Sequence, residues 1–301
     1  MSLALAMLIA NPVILGTTPV PIAGAESAAG DTVQGRADDY ARMTIEVAVH
    51  GIGPYRFLID TGSQRTVVST ALAGRLGLVG GAQVRVMGIA GTHEVATAQV
   101  DSIDIGPRSF YDLTVPLLEG ENIGADGILG TDSLQHQRVL LDFARNTIRI
   151  GDASELGGRR GFEIVVEARR KSGRLILTDA KIDGVHVDVV IDTGASGSVG
   201  NLALQKALAH RARPPALLRG TLSSVTGHDL PVEIGIANKL ELAGIGVNNV
   251  LIAYADAPAF GELKLDKRPA IFLGMRELRA FKRVAIDFST RKVLLDIGNH
   301  D

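Results

Sequence analysis

The sequence predicts an all-β protein built as two similar halves, and three observations predict it. The first is patterning. Short apolar runs alternate with polar residues at period two and are separated by Gly, Pro, Asn and Asp, as in Met43-Thr44-Ile45-Glu46-Val47-Ala48-Val49. The second is an internal repeat. Asp60-Thr61-Gly62 follows Phe57-Leu58-Ile59, and Asp192-Thr193-Gly194 follows Val189-Val190-Ile191. Nine residues after each Asp stands a helix N-cap type, Ser69 or Asn201, with leucines at 72 and 76 or at 204 and 208. The third is that later landmarks repeat too. Ile128-Leu129-Gly130 matches Phe272-Leu273-Gly274, and Leu141-Asp142-Phe143 matches Ile286-Asp287-Phe288. A lone Asp-Thr-Gly is usually a turn, and the shared register lifts this pair above that.

In chain order, residues 1–25 hold no charged side chain, have an apolar core from Leu3 to Ala10 and end on the small residues Ala23-Gly24-Ala25. They read as a signal peptide with an atypical n-region, so export to the periplasm or outside the cell is expected. The run is too short for a membrane span. Residues 26–39 read as a linker, too short for an inhibitory pro-segment. The first half covers 40–153. Its strands are expected at 43–49, 55–59, 83–87, 94–100, 101–106, 113–117, 139–143 and 147–150, with a hairpin tip at Gly88 to His93 and short helices after Ser69 and Gly130. Residues 154–161, rich in glycine, read as the connection between halves. The second half, 162–299, repeats the scheme. Asp183-Gly184 is a hairpin turn, the helix after Asn201 stops before Pro214-Pro215, and Ser223 to His228 is a second hairpin tip.

Composition narrows the function classes. The formal net charge is -2 over 301 residues, so nothing points to nucleic acid or an anionic membrane. There is no cysteine, which excludes disulfides and thiol catalysis. Aromatic residues make up only 4%, against base- or sugar-stacking platforms. The seven histidines show no metal-ligand spacing, and His93 and His228 read as solvated hairpin ends. Gly194 to Gly200 lies between a strand and a helix but lacks the lysine of a phosphate loop. No cofactor and no metal are expected.

Apolar-apolar-Asp-Thr-Gly-Ser/Ala, a hairpin tip, then apolar-apolar-Gly before a short helix resembles the pepsin and retropepsin aspartic proteases. The likeness runs from about Tyr40 to Ile297 and suggests a bacterial, single-chain, two-lobed form whose lobes each resemble one retropepsin monomer. It implies a bilobal acid-protease fold with two barrel-like lobes. Asp60 and Asp192 become the catalytic pair. Thr61 and Thr193 would bond across to the opposite loop, and Gly62, Gly194, Gly130 and Gly274 would permit close approach. Ser63 and Ala195 complete the loops. Ile89, Ala90 and Gly91, with Val225, Thr226 and Gly227, would form flaps over an extended peptide or protein substrate. The implied activity is endopeptidase cleavage by a monomeric pseudo-dimer. A protease fold kept only for peptide binding or regulation is the alternative.

The chemistry also follows from the residues. Two adjacent carboxylates cannot both ionise freely, so one proton is shared near working pH; the aspartic-protease dyad is the standard illustration. The ionised member can deprotonate water while the protonated one donates to the carbonyl oxygen. In pepsin-like enzymes a hydroxyl after the glycine commonly supports the charged carboxylate. Ala195 lacks that hydroxyl, so a pH optimum from mildly acidic to neutral is expected.

Overall fold

The computed structural model describes residues 32–33, 36–37, 42–211 and 217–297. The expected signal peptide lies outside the described residues. Within the segment read as a linker, Thr32–Val33 and Arg36–Ala37 form short strands, pairing with Thr147–Gly151 and Met43–Val49 respectively.

Each half closes into a six-stranded barrel with the same strand order. In the first, the ring runs Met43–Val49, Ile52–Ile59, Gly127–Leu129, Val67–Ser69, Arg108–Leu118 and Thr97–Ile105, and returns to Met43–Val49. In the second it runs Arg174–Ile182, Val185–Ile191, Ala270–Leu273, Ser198–Gly200, Ile245–Tyr254 and Asp229–Leu242, and returns to Arg174–Ile182. Closure leaves few free strand edges. The two aspartates sit at equivalent points because their strands do. Phe57, Leu58 and Ile59 pair in parallel with Gly127, Ile128 and Leu129, as Val189, Val190 and Ile191 do with Ile271, Phe272 and Leu273. The strand before each aspartate is buried throughout its last three residues, at about 1.5–3 kcal/mol per large aliphatic side chain.

Both N-caps form as read. The Leu72 N–H donates to Ser69 Oγ at 3.1 Å and opens the helix Thr70–Leu76. The Leu204 N–H donates to Asn201 Oδ1 at 2.8 Å and opens Leu202–Ala209. Asp183 and Gly184 both have positive φ, +45° and +78°, as a tight hairpin turn requires.

Two features differ from expectation. Residues 97–118 form two long strands, Thr97–Ile105 and Arg108–Leu118, where three shorter ones were read. The buried positions slip phase between Val100 and Ile103, and in sequence that slip looks like a strand end. Second, the hairpins at 138–151 and 283–296 do not close their own lobes. They join each other in a six-stranded sheet shared by both lobes, through Arg138–Asp142 paired antiparallel with Arg283–Asp287. Here Arg138 bonds Asp287 at 2.7 and 3.1 Å with both side chains buried. Burial alone would raise Asp287. The Thr290 N–H, the Ser289 hydroxyl and Arg138 together hold it below the usual carboxylate range. None of the described helices is long and apolar enough to cross a membrane.

Candidate active site

Each aspartate ends a buried strand and starts a tight loop. Its N–H is fixed by the neighbouring parallel strand: Asp60 donates to the Leu129 carbonyl and Asp192 to the Leu273 carbonyl, both at 3.0 Å. The loop then folds its own amides back on the carboxylate. Asp60 Oδ1 accepts from Gly62 and Ser63 N–H at 2.8 and 2.9 Å, and Asp192 Oδ1 accepts from Gly194 and Ala195 N–H at 3.1 and 3.2 Å.

The loops face each other so closely that glycine is obligatory beside each aspartate. A Cβ on Gly62 would lie 2.6 Å from the Asp192 carboxyl, and one on Gly194 would collide with the Asp60 carboxyl. The same crowding recurs one layer out, where a Cβ on Gly130 or Gly274 would overlap the backbone of Arg65 or Gly197. The threonines lock the two loops reciprocally. Thr61 Oγ1 donates to the Ile191 carbonyl at 2.9 Å and Thr193 Oγ1 to the Ile59 carbonyl at 2.6 Å. Each hydroxyl also accepts the other threonine's N–H, at 3.1 and 3.3 Å, and both residues are buried.

The two carboxyls face each other across the paired loops, each lying against the glycine of the opposite loop. Burial raises Asp60, against the pull of the Gly62 and Ser63 amides and of Arg174. Asp192 is pushed up to about 8, by burial first and by the Asp60 charge second, again with Arg174 opposing. Two carboxyls this close cannot both ionise freely, so the pair is set up to share a proton.

Three contacts here are not what the sequence suggested. Ser63 Oγ donates to the Arg65 carbonyl at 2.8 Å, so its proton is not aimed at Asp60. The Ser63/Ala195 difference therefore does not act through a hydroxyl on the carboxylate. Donor strength differs through the backbone instead, whose amides lie closer to Asp60 than to Asp192. Next, Arg174 lies in the site, buried, with Nε on the Gly62 carbonyl at 2.5 Å and Nη1 on Glu262 at 3.3 Å. A signal for it existed, since Arg42 stands as far before Asp60 as Arg174 stands before Asp192. Finally, Thr66 and Ser198, at one offset from their aspartates, accept the N–H of Gly130 and Gly274 at 3.2 and 3.1 Å. Each also bonds an acidic residue, Asp132 or Glu277.

Above the pair lies a cleft of about 1050 Å³ roofed by both hairpin tips. Ile89 and Ala90 turn the hairpin of Val84–Gly88 and Gly91–Val95, and Gly91 has φ +147°. Val225, Thr226 and Gly227 turn the other, where Gly227 has φ +77° and its N–H meets the Ser224 carbonyl at 2.9 Å. The tips cross over. Ile89 packs on the second-lobe cluster with Phe272, and Val225 packs on the first-lobe cluster with Leu58 and Ile128. His93 and His228, read as solvated ends, stack on one another with ring centroids 3.5 Å apart and planes 10° apart. Such a pair contributes about 0.5–1.5 kcal/mol. His228→Ala is expected to raise amide hydrogen exchange at residues 86–91 about 2–10-fold with little change in Tm. Unchanged exchange would show that the stack does not hold the roof.

Among the described residues no group of three or more His, Asp or Glu could hold a metal ion. No curated protein matches the chain. The Aspartyl protease family model matches it twice, over residues 45–133 and 178–276, once per barrel and across each Asp-Thr-Gly loop. With more than half of its length matched in two copies, the chain belongs to the aspartyl protease family, as a two-lobed pseudo-dimer of retropepsin-like units.

Proposed function

We propose that this chain is an aspartic endopeptidase. It hydrolyses peptide bonds with a water activated between Asp60 and Asp192, acting as a monomer on an extended peptide held under the two flaps. The observation that carries the reading is the facing carboxyl pair, braced by four loop amides, at the floor of a roofed cleft. Asp60, with the closer amide donors, is the ionised member and takes a proton from water. Asp192 is protonated and donates to the substrate carbonyl oxygen as the tetrahedral centre forms. As the C–N bond breaks, the proton held by Asp60 passes to the leaving nitrogen and a hydroxyl of the tetrahedral centre returns its proton to Asp192, so the pair regains its starting state. No covalent intermediate is needed. The substrate backbone would lie between the floor and the flaps, pairing with flap backbone as an added strand. Apolar side chains on the cleft walls include Leu118 and Ile128 in one lobe and Val199 and Phe272 in the other.

A second reading, a protease fold that binds peptides without cutting them, draws on the crossed flap tips, which must part before a substrate enters. It leaves two mutually repelling carboxyls without a purpose. A peptide library incubated with the protein and read by mass spectrometry separates the two. Cleavage blocked by a statine-type transition-state analogue supports the enzyme. Peptide binding without cleavage at any pH from 3 to 9 supports the binder.

A further inference from the structure

We propose that Arg174 is a positioning residue that decides which member of the pair carries the charge. It does so by polarising the Gly62–Ser63 peptide, whose N–H holds Asp60. The proposal builds on the peptidase reading of the pair.

The geometry is specific. The Gly62 carbonyl and the Ser63 N–H belong to one peptide group and point in opposite directions. Arg174 Nε donates to the carbonyl at 2.5 Å, and the N–H on the far side donates to Asp60 Oδ1 at 2.9 Å. A cation on the carbonyl draws electron density from the nitrogen and makes that N–H a stronger donor. The chain guanidinium, peptide, carboxylate therefore favours charge on Asp60. The corresponding amide of the other loop, Ala195 N–H, lies at 3.2 Å from Asp192.

The guanidinium is built into place. Arg174 is 6% exposed. It opens the strand Arg174–Ile182 of the second lobe yet bonds a loop of the first, so it acts across the lobe boundary. Its Nη1 is anchored by Glu262, at the end of the helix Pro258–Glu262, and Gln64 Nε2 holds the other Glu262 oxygen at 2.5 Å. The charged groups facing it are Glu262, Asp60 and Asp192. Lys171 on its own hairpin is turned to the Leu263 carbonyl, while Arg42, Arg65, Arg85, Glu121 and Asp229 also line the cleft. A planar fork is needed to reach a carbonyl with one nitrogen and a carboxylate with another.

The test reads the pair without substrate. Carbon-13 NMR of labelled aspartate carboxyls in the full chain, assigned with Asp60→Asn and Asp192→Asn, follows their titration in the wild type, Arg174→Met and Arg174→Lys. In Arg174→Met the Asp60 titration is expected to move up the pH scale by about one or more. Arg174→Lys, which keeps the charge and a donor, is expected to recover most of that shift. A wild-type titration in a folded Arg174→Met protein overturns the proposal. So does a Lys variant that titrates like the Met variant, which would assign the effect to packing. Should Arg174→Met fail to fold, Arg174→Gln, neutral but still able to donate one bond, gives the same reading. A shifted titration with no cleavage by the wild type would sink the peptidase reading and leave this one standing. Cleavage with an unshifted titration would sink this one alone.

Discussion

On the proposed peptidase mechanism, Asp60→Asn and Asp192→Asn are each expected to lower kcat/KM by at least about 10²–10⁴, the usual weight of a general acid or base, because neither half of the pair would work alone. The same substitutions should stabilise the protein. The folded-state pKa of Asp192 is raised to about 8, well above the ~3.9 of an unfolded aspartate. The folded chain thus binds more protons than the unfolded chain across that window. Stability accordingly falls as pH rises through it. Asp192→Asn removes this penalty. Its Tm should match the wild type near pH 4 and exceed it by at least about 2–4 °C at pH 8, a gain of roughly 1 kcal/mol. Thermal melts at several pH values check this. Loss of activity with a lower Tm at pH 8 would mean that the carboxyl is structural. Trading stability for a strained, reactive site is common in enzymes.

The second large effect lies far from the cleft. Asp287→Ala leaves Arg138 buried without its carboxylate at the seam of the shared sheet, and the expected cost is about 3–5 kcal/mol. Because the folded-state pKa of Asp287 is depressed, this stability is present above the unfolded aspartate pKa. It is lost as pH falls through the lower folded value, so wild type and variant should converge in acid. Replacing both partners, as Arg138→Met with Asp287→Leu, should cost far less, since no charge is stranded. Urea unfolding of the three proteins at neutral pH measures the difference. A single variant as stable as the wild type contradicts the account. Since Arg138 and Asp287 come from different lobes, the single variant should also lower cleavage by loosening the facing of Asp60 and Asp192.

Much of the site was legible because it is local. A strand, a carboxylate, a hydroxyl and a glycine sit within four residues, and the N-caps Ser69 and Asn201 announce the helices that follow. The repeat then told which loops must meet. The rest depends on contacts between distant segments, for which neither periodicity nor propensity carries a signal. The 138–151 and 283–296 hairpins look like lobe-closing elements in sequence. Their pairing with each other is settled by which edges are free once both barrels close. Arg174 looks like the start of a strand, and only the fold brings it to Gly62. His93 and His228 are single polar residues near turns, and their stacking follows from the crossing of the two tips. The direction of the Ser63 hydroxyl was misread for a similar reason, since the Arg65 carbonyl competes for its one proton.

The central claim is that Asp60 and Asp192 work as one unit holding one proton. The pH profile of kcat/KM for a cleaved peptide, with wild-type protein from pH 3 to 9, tests it most directly. A bell-shaped profile is expected. Its acid limb marks protonation of Asp60 and its alkaline limb marks loss of the shared proton, falling as pH rises through about 8. Its maximum lies at mildly acidic to neutral pH. A maximum below pH ~3, under the unperturbed aspartate pKa, or a profile with a single limb, would contradict it.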